Sequence, residues 1–388
     1  MNKRNYSKRF FFIGLIVIYG FFCWYLYYNQ LLYPVTLKFE ADTPVHVSMA
    51  VEDGFYYSVT GLLYIILCKL PFENFTISFL LAFMTAFSVY LTWLLIKKVS
   101  EFEKEEIYPY SYAMAFGANL LMAFYLPFIN KQHYIGYQCA NMWHNSTYTA
   151  MRFFALVTLI VFIDIYKDYK EKGVGIKRWL LLTLLLALST LCKPSFLTVF
   201  APVFALMLLC DLIKGVKFSK IFSFGSTVFL SLLALFWQSM VLFGSSSGNG
   251  YEISPFTALS ERGSHPKVTL LLSIIFPLMV LFLHIKDFYK DKLYFGSILI
   301  WLVGFLEVFF LNETGERSGD SNFFWGYSIA LFIWFLMSIV RLIKDFTLGE
   351  LTKIKKVWGF LCLISFLWHL LSGIWYFSLL LTGVTYFV

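Results

Sequence analysis

Long apolar runs separated by short polar joints dominate the chain. They fall at 10–29, 55–70, 74–96, 110–129, 147–166, 178–192, 195–213, 220–243, 268–285, 293–311, 322–343 and 357–384. Most approach or exceed the ~20 residues that a helix needs to cross about 30 Å of hydrocarbon. Lipid offers no partner to backbone N–H and C=O groups, so runs of this kind are expected as helices that satisfy themselves. The pattern predicts an all-α polytopic membrane protein, a single transmembrane domain over residues 1–388.

Charge then orders the runs. Lys3, Arg4, Lys8 and Arg9 precede the first run and place the N-terminus in the cytoplasm by the positive-inside rule. If every run crossed, the basic joints 97–104, 167–178, 286–292 and 341–356 would all face outward. Laying Phe55–Leu70 along the outer interface repairs every one of them. That run has 16 residues, contains Gly61 and ends in Lys69-Leu70-Pro71, so it is short for a span. The inner side then holds 23 of the 31 Lys and Arg and the outer side 8. About eleven spans follow, with the C-terminus outside. Residues 30–73 become a first outer loop with juxtamembrane helices, and 244–267 a flexible outer loop opened by GSSSGNG. The stretch 178–213 is interrupted at Lys193-Pro194, as two short helices meeting near the outer face would be.

Composition agrees: 59% of residues are hydrophobic and 14% charged, against about 25% charged in soluble domains. Aromatics make up 21%, with 45 Phe, suiting a lipid-facing surface with interfacial belts. The net charge of +8 sits in clusters flanking apolar runs, which orients a membrane protein and excludes a nucleic-acid groove. Cys23, Cys68, Cys139, Cys192, Cys210 and Cys362 are scattered without metal-ligand spacing and read as buried, inert thiols. The first run superficially resembles a signal peptide, but it is long enough to span and no small-x-small site follows, so an uncleaved anchor is expected.

With this topology the unusual polar residues gather outside. In the first loop, LKFEADTPVHVSMAVEDG, Thr43 reads as an N-cap, Pro44 as the first helical residue and Gly54 as the stop. Asp42 then stands at the helix start with His46 four residues on. It could serve as a general base, or only complement the helix dipole. The second loop carries His133, Asn141, His144, Asn145 and Arg152, donors suited to an anionic headgroup. Asn145-Ser-Thr147, Asn74-Phe-Thr76 and Asn312-Glu-Thr314 are also glycosylation sequons. Lys193, between apolar runs, costs about 2.5–3.5 kcal/mol at a helix centre and needs a partner or a cavity. It reads either as an ammonium reaching a lipid phosphate or as a snorkelling side chain. The last loop offers Glu313, Glu316, Arg317 and Asp320, with Glu307 in the span before it. Either these shape a pocket, with Arg317, Arg152 or Lys193 as counter-charges, or they form a solvated turn. Glu261, Arg262 and His265 belong to a lid or a plain linker.

The order of these features resembles the GT-C superfamily of membrane glycosyltransferases, which includes protein O-mannosyltransferases and aminoarabinose transferases. Asp42-Thr-Pro-Val-His46 stands where that superfamily has its first-loop acid, FYYSVTGLLYIILCKLPFENFTISFLLAF resembles a juxtamembrane helix entering span two, and Lys193-Pro194-Ser195 is similar to its outer-face lysine. The chain also looks like bacterial envelope proteins with a D-x-P-x-H loop, a W-H-N loop (Trp143 to Asn145) and a late E-x-G-x-R loop around Gly315. It departs from the superfamily in having one acid at the motif's core, unless Glu40 or Glu52-Asp53 substitutes, and in appending no extramembrane domain.

The resemblance implies outward-facing transfer of a sugar from a polyprenyl-phosphate-linked donor to an acceptor hydroxyl, within membrane lipid. Asp42 and His46 would be catalytic. Lys193, Arg152 and His144 would bind the lipid phosphate, and Asn145, Glu307, Glu313, Glu316 and Arg317 would line the sugar or acceptor pocket. A metal-free site and one divalent cation held by Asp42 with a later carboxylate both stay open. A polysaccharide polymerase or ligase of the envelope is the alternative, leaning on Arg317. A flippase or transporter would require interrupted helices in paired halves, of which only Lys193-Pro194 is visible.

Overall fold

The computed structural model describes residues 3–33, 38–54, 57–100, 108–129, 143–244, 248–261, 265–318, 320, 322–348 and 352–384. His133, Asn141, Cys139 and Arg262 lie outside them, as does the side chain of Arg317. The helices are α1 (Lys3–Leu32), α2 (Thr43–Val51), α3 (Val59–Leu67), α4 (Glu73–Ser100), α5 (Tyr108–Ala118), α6 (Ser146–Lys172), α7 (Ile176–Cys192) and α8 (Ser195–Ile213). They continue with α9 (Phe218–Gly225), α10 (Phe229–Phe243), α11 (Thr257–Glu261), α12 (Pro266–Leu283), α13 (Lys292–Phe310), α14 (Phe323–Leu348) and α15 (Lys353–Leu381).

Among the described residues, nine helical stretches are long and apolar enough to cross a bilayer: α1, α4, α6, α8, α9 with α10, α12, α13, α14 and α15. The chain is an all-α polytopic membrane protein. α3 has nine residues, about 13 Å of helix at 1.5 Å per residue, and cannot cross by itself. α14 is apolar all round and buried along almost its whole length, so it forms the centre. α1 and α10 turn most of their Phe, Leu and Val side chains outward. Close approach to α14 depends on small residues. A Cβ on Gly304 would lie 3.0 Å from the Tyr327 Cα, so α13 rests against the α14 backbone there.

Two of the eleven expected spans are not long helices. α7 stops after 17 residues at Cys192. The run 110–129 is helical only to Ala118, and no helix covers 119–126. Its backbone is paired with other helices instead. Met122 N–H donates to the His369 carbonyl at 3.2 Å, Phe124 N–H to the Leu272 carbonyl at 3.1 Å and Tyr125 N–H to the Ser372 hydroxyl at 3.1 Å. The His369 ring closes the account: Nδ1 lies 2.6 Å from the Met122 carbonyl oxygen, and Nε2 accepts the Phe276 N–H at 3.4 Å. These partners require the Nδ1–H tautomer. Gly373 makes the docking feasible, since a Cβ there would fall 1.4 Å from the Leu120 oxygen. Non-helical backbone survives at such depth because protein encloses it.

The expected flexible loop 244–267 is also partly ordered. Strand β1 (Gly250–Ile253) pairs antiparallel with β2 (Leu311–Thr314), Gly250 opposite Thr314 and Ile253 opposite Leu311, and α11 follows. The ribbon ties the connection after α10 to the end of α13. Of the described cysteines, Cys23, Cys192 and Cys362 are buried as expected, Cys68 is partly buried, and Cys210 is exposed on α8.

The bundle has two unlike ends. One gathers α2, α3, the ribbon and the N-termini of α6, α8 and α14. The other carries most Lys and Arg of the joints, and there aspartates pair with them: Lys98 with Asp164, Arg178 with Asp168 at 2.8 Å, and Asp211 with both Lys170 and the Tyr169 hydroxyl. His284 Nε2 lies 2.7 Å from Asp345, and Arg341 faces Asp287, Asp291 and Asp345 within 4 Å.

Candidate functional site

At the first end the helices enclose a cavity of about 720 Å³, in the range of small-molecule sites. Asp42, His46, Asn145, Lys193, Glu307 and Glu313 all line it. They come from four separate stretches of the chain, so the fold assembles them.

Asp42 rather than Thr43 is the N-cap of α2, one residue before the expected position. Its carboxylate makes no capping bond. It reaches across to the second loop, where it accepts the Asn145 amide at 2.6 Å and lies 3.1 Å from His144 Nε2. The Asp42 N–H also donates to the His144 carbonyl at 3.1 Å, and His46 Nδ1 sits 3.2 Å from the Ser146 hydroxyl. Two loops separated by about a hundred residues are thereby stitched together. Asn145 has a second task, since its side-chain oxygen accepts the Tyr148 N–H at 2.9 Å and so caps α6. Trp143 anchors the same strip on α1 through the Tyr19 hydroxyl at 3.0 Å.

Burial alone would raise the Asp42 pKa. The charge and hydrogen bond of His144, then the charge of His46 and the Asn145 amide, outweigh it and hold the carboxyl well below the usual carboxylate range. Its side chain is still 35% exposed. Each carboxylate oxygen keeps a further lone pair for a ligand.

Across the cavity, the chain breaks at the end of α7. Lys193 is extended (φ −162°, ψ 130°), and Pro194, which lacks an N–H, turns the chain into α8. The Lys193 ammonium donates to the Asn322 side-chain oxygen at 2.9 Å and lies 5.6 Å from the centre of the Trp325 ring. Asn322 in turn donates from its backbone to Glu313 at 2.8 Å and from its amide at 3.1 Å. Glu307 accepts the Thr198 hydroxyl at 3.3 Å, and among the described residues it has no ion pair. Gly326 gives it room, because a Cβ there would lie 2.7 Å from its Oε2.

The remaining expected residues stand elsewhere. His144 is behind Asp42 rather than in the cavity lining. Arg152 is fully buried and absent from that lining; it donates to Asn119 at 3.0 Å and faces the Phe332 ring at 3.7 Å. Two helical turns below Asn145, it sits about 10 Å deeper than the loop. Glu316 is exposed on the turn after β2 and does not line the cavity. Reasoning from sequence missed Gln238, Asn322 and Trp325. A glutamine inside an otherwise apolar run was the one visible signal for Gln238.

Among the described residues no three His, Cys, Asp or Glu side chains form a group able to hold a metal ion. The arrangement places a carboxylate, an ammonium and neutral amides around one space. No protein-family model matches the chain, and no curated protein matches it.

Proposed function

We propose that the protein is a membrane glycosyltransferase of GT-C type, moving a sugar from a polyprenyl-phosphate-linked donor to an acceptor hydroxyl. The observation that carries this reading is that Asp42 and Lys193 line one cavity at a single end of an apolar bundle. α10, most of whose surface is open to lipid, forms one wall through Leu235, Gln238, Ser239 and Leu242. A lipid-linked substrate would keep its chain in the bilayer and its phosphate and sugar in that space.

In this mechanism the acceptor oxygen bonds to the anomeric carbon as the bond from that carbon to the phosphate oxygen breaks. Asp42 takes the acceptor's proton. A carboxylate with a depressed pKa is a weak base, but it is always in the accepting form. The hydroxyl becomes strongly acidic once its oxygen has begun to bond to carbon, so a late transfer suits it. Lys193 meets the charge growing on the departing phosphate. Glu307 and Glu313 flank the remaining space and suit sugar hydroxyls.

The reading includes a topology of eleven crossings. α4 and α6 both begin at the cavity end, so the chain between them must return. α5 followed by the extended residues 119–126 would make that passage, and α7 another. The cavity end would face outward, with the N-terminus cytoplasmic and the C-terminus outside. A transporter reading also expects broken helices. In the break at 119–126, however, the N–H groups of Met122, Phe124 and Tyr125 and the Met122 carbonyl are taken up by α12 and α15.

Asp42→Asn in proteoliposomes containing a polyprenyl-phosphate sugar and acceptor should lower transfer by about 10³-fold with folding unchanged. Near-normal transfer would remove Asp42 from the reaction. Transport of the lipid-linked sugar without transfer by the wild type would favour the transporter.

A further inference from the structure

The break before Pro194 creates a problem that the sequence does not reveal. A helix leaves its last carbonyls without N–H partners, and near apolar surroundings such oxygens are costly. At the end of α7 two of them are met by side chains from other elements. Gln238, on α10, donates its amide to the Leu191 carbonyl at 3.3 Å and to the Tyr57 carbonyl at 2.8 Å. Ser58, the N-cap of α3, donates its hydroxyl to the Cys192 carbonyl at 3.3 Å. These are the two residues directly before Lys193.

Gln238 is 3% exposed and lies on an apolar helix whose Phe236, Trp237, Met240 and Val241 face outward. Two carbonyl acceptors require the nitrogen of its amide to point at them, so its orientation is fixed. Lys193 is thus gripped at both ends: its ammonium by Asn322, directly before α14, and its backbone by an α7 terminus that α10 and the start of α3 hold.

We infer that Gln238, with Ser58, is a positioning residue that sets where the Lys193 ammonium stands in the cavity. This rests on the reading of Lys193 as the phosphate-binding group. Gln238 is not itself catalytic. Its removal frees the junction, so that the ammonium no longer meets a phosphate in one place.

The test uses the full chain in nanodiscs, with Gln238→Met (similar in length, no donor) and Ser58→Ala as an independent second variant. Two quantities are read: labelling of Lys193 by an amine-reactive probe, relative to Lys69 and Lys267, and the affinity for a short-chain polyprenyl phosphate. Gln238→Met should raise relative labelling of Lys193 several-fold and weaken phosphate binding about tenfold, as loss of a buried hydrogen-bonding group would. Its KM for the lipid donor should rise more than its kcat falls, with Lys193→Met as the reference for complete loss. Ser58→Ala should shift labelling the same way by less. Unchanged Lys193 labelling in both folded variants would overturn the inference. If labelling rises but Lys193→Met binds the lipid phosphate normally, the positioning stands and the phosphate role of Lys193 fails.

Discussion

The two ends of the bundle use the same charged residue types to opposite effect. At the basic end, Lys and Arg meet aspartates directly, as in Arg178 with Asp168, or Arg341 among Asp287, Asp291 and Asp345. At the other end, Asp42 sits with His144 and the Asn145 amide, and Lys193 donates to the Asn322 amide oxygen beside the Trp325 ring, both bordering an open space. Direct ion pairs complete themselves and fasten helices. Groups that border a cavity are placed to meet a ligand. On the proposed reading, one end serves cohesion and the other chemistry.

That contrast breaks most visibly if the wrong end controls activity. Asp345→Ala removes the buried carboxylate beside His284 while Asp287 and Asp291 still face Arg341, so it should cost about 2 kcal/mol of stability. A thermal unfolding series should show the loss, while transfer per folded molecule stays within about twofold. Lys193→Met should do the reverse. It should lower kcat/KM for the lipid-linked donor about 100-fold, as removal of one charge-stabilising donor does, with melting little changed. A finer probe is Gly326→Ala. The added Cβ meets the flexible tip of Glu307 rather than backbone, so folding should survive while the carboxylate is displaced. About a tenfold rise in KM for sugar or acceptor, without a melting shift, would place Glu307 in the pocket.

The smallest expected effect concerns pH. The folded-state pKa of Asp42 is depressed, so its contribution to stability is complete above the ordinary carboxylate value of 3.8 and is lost as pH falls below it. The drop in melting temperature between pH 5 and pH 3 should therefore be shallower in Asp42→Asn. An equal slope in the two proteins would mean that Asp42 is not held ionised by its neighbours.

Much of the fold was legible because lipid makes apolar length and flanking charge directly informative. The short reach of α3 and the break at Lys193-Pro194 both came from local residues. The unwound passage at 119–126 did not, since its cause lies in His369, Ser372 and Gly373, some 250 residues away, and its own sequence is as apolar as a helix. The ribbon after α10 was hidden for the same reason: β1 acquires its order from β2, and Gly/Ser residues alone suggest flexibility. At the site, Asp42 and Lys193 stood out as charges in apolar or capping contexts. Arg152 stands away from the cavity lining because helical rotation and depth, not sequence proximity to Asn145, decide what its guanidinium meets. Gln238 and Asn322 escaped notice because neutral amides become informative only when their partners are known.

The comparison reduces to one measurement: single-turnover sugar transfer from a polyprenyl-phosphate-linked donor, in proteoliposomes, by wild type, Asp42→Asn and Asp345→Asn. Activity should disappear in Asp42→Asn, with its lipid-donor affinity retained, and persist in the folded fraction of Asp345→Asn. Transfer that survives the loss of the Asp42 carboxylate, or that fails equally in both variants when corrected for folded protein, would contradict the assignment of chemistry to the cavity end.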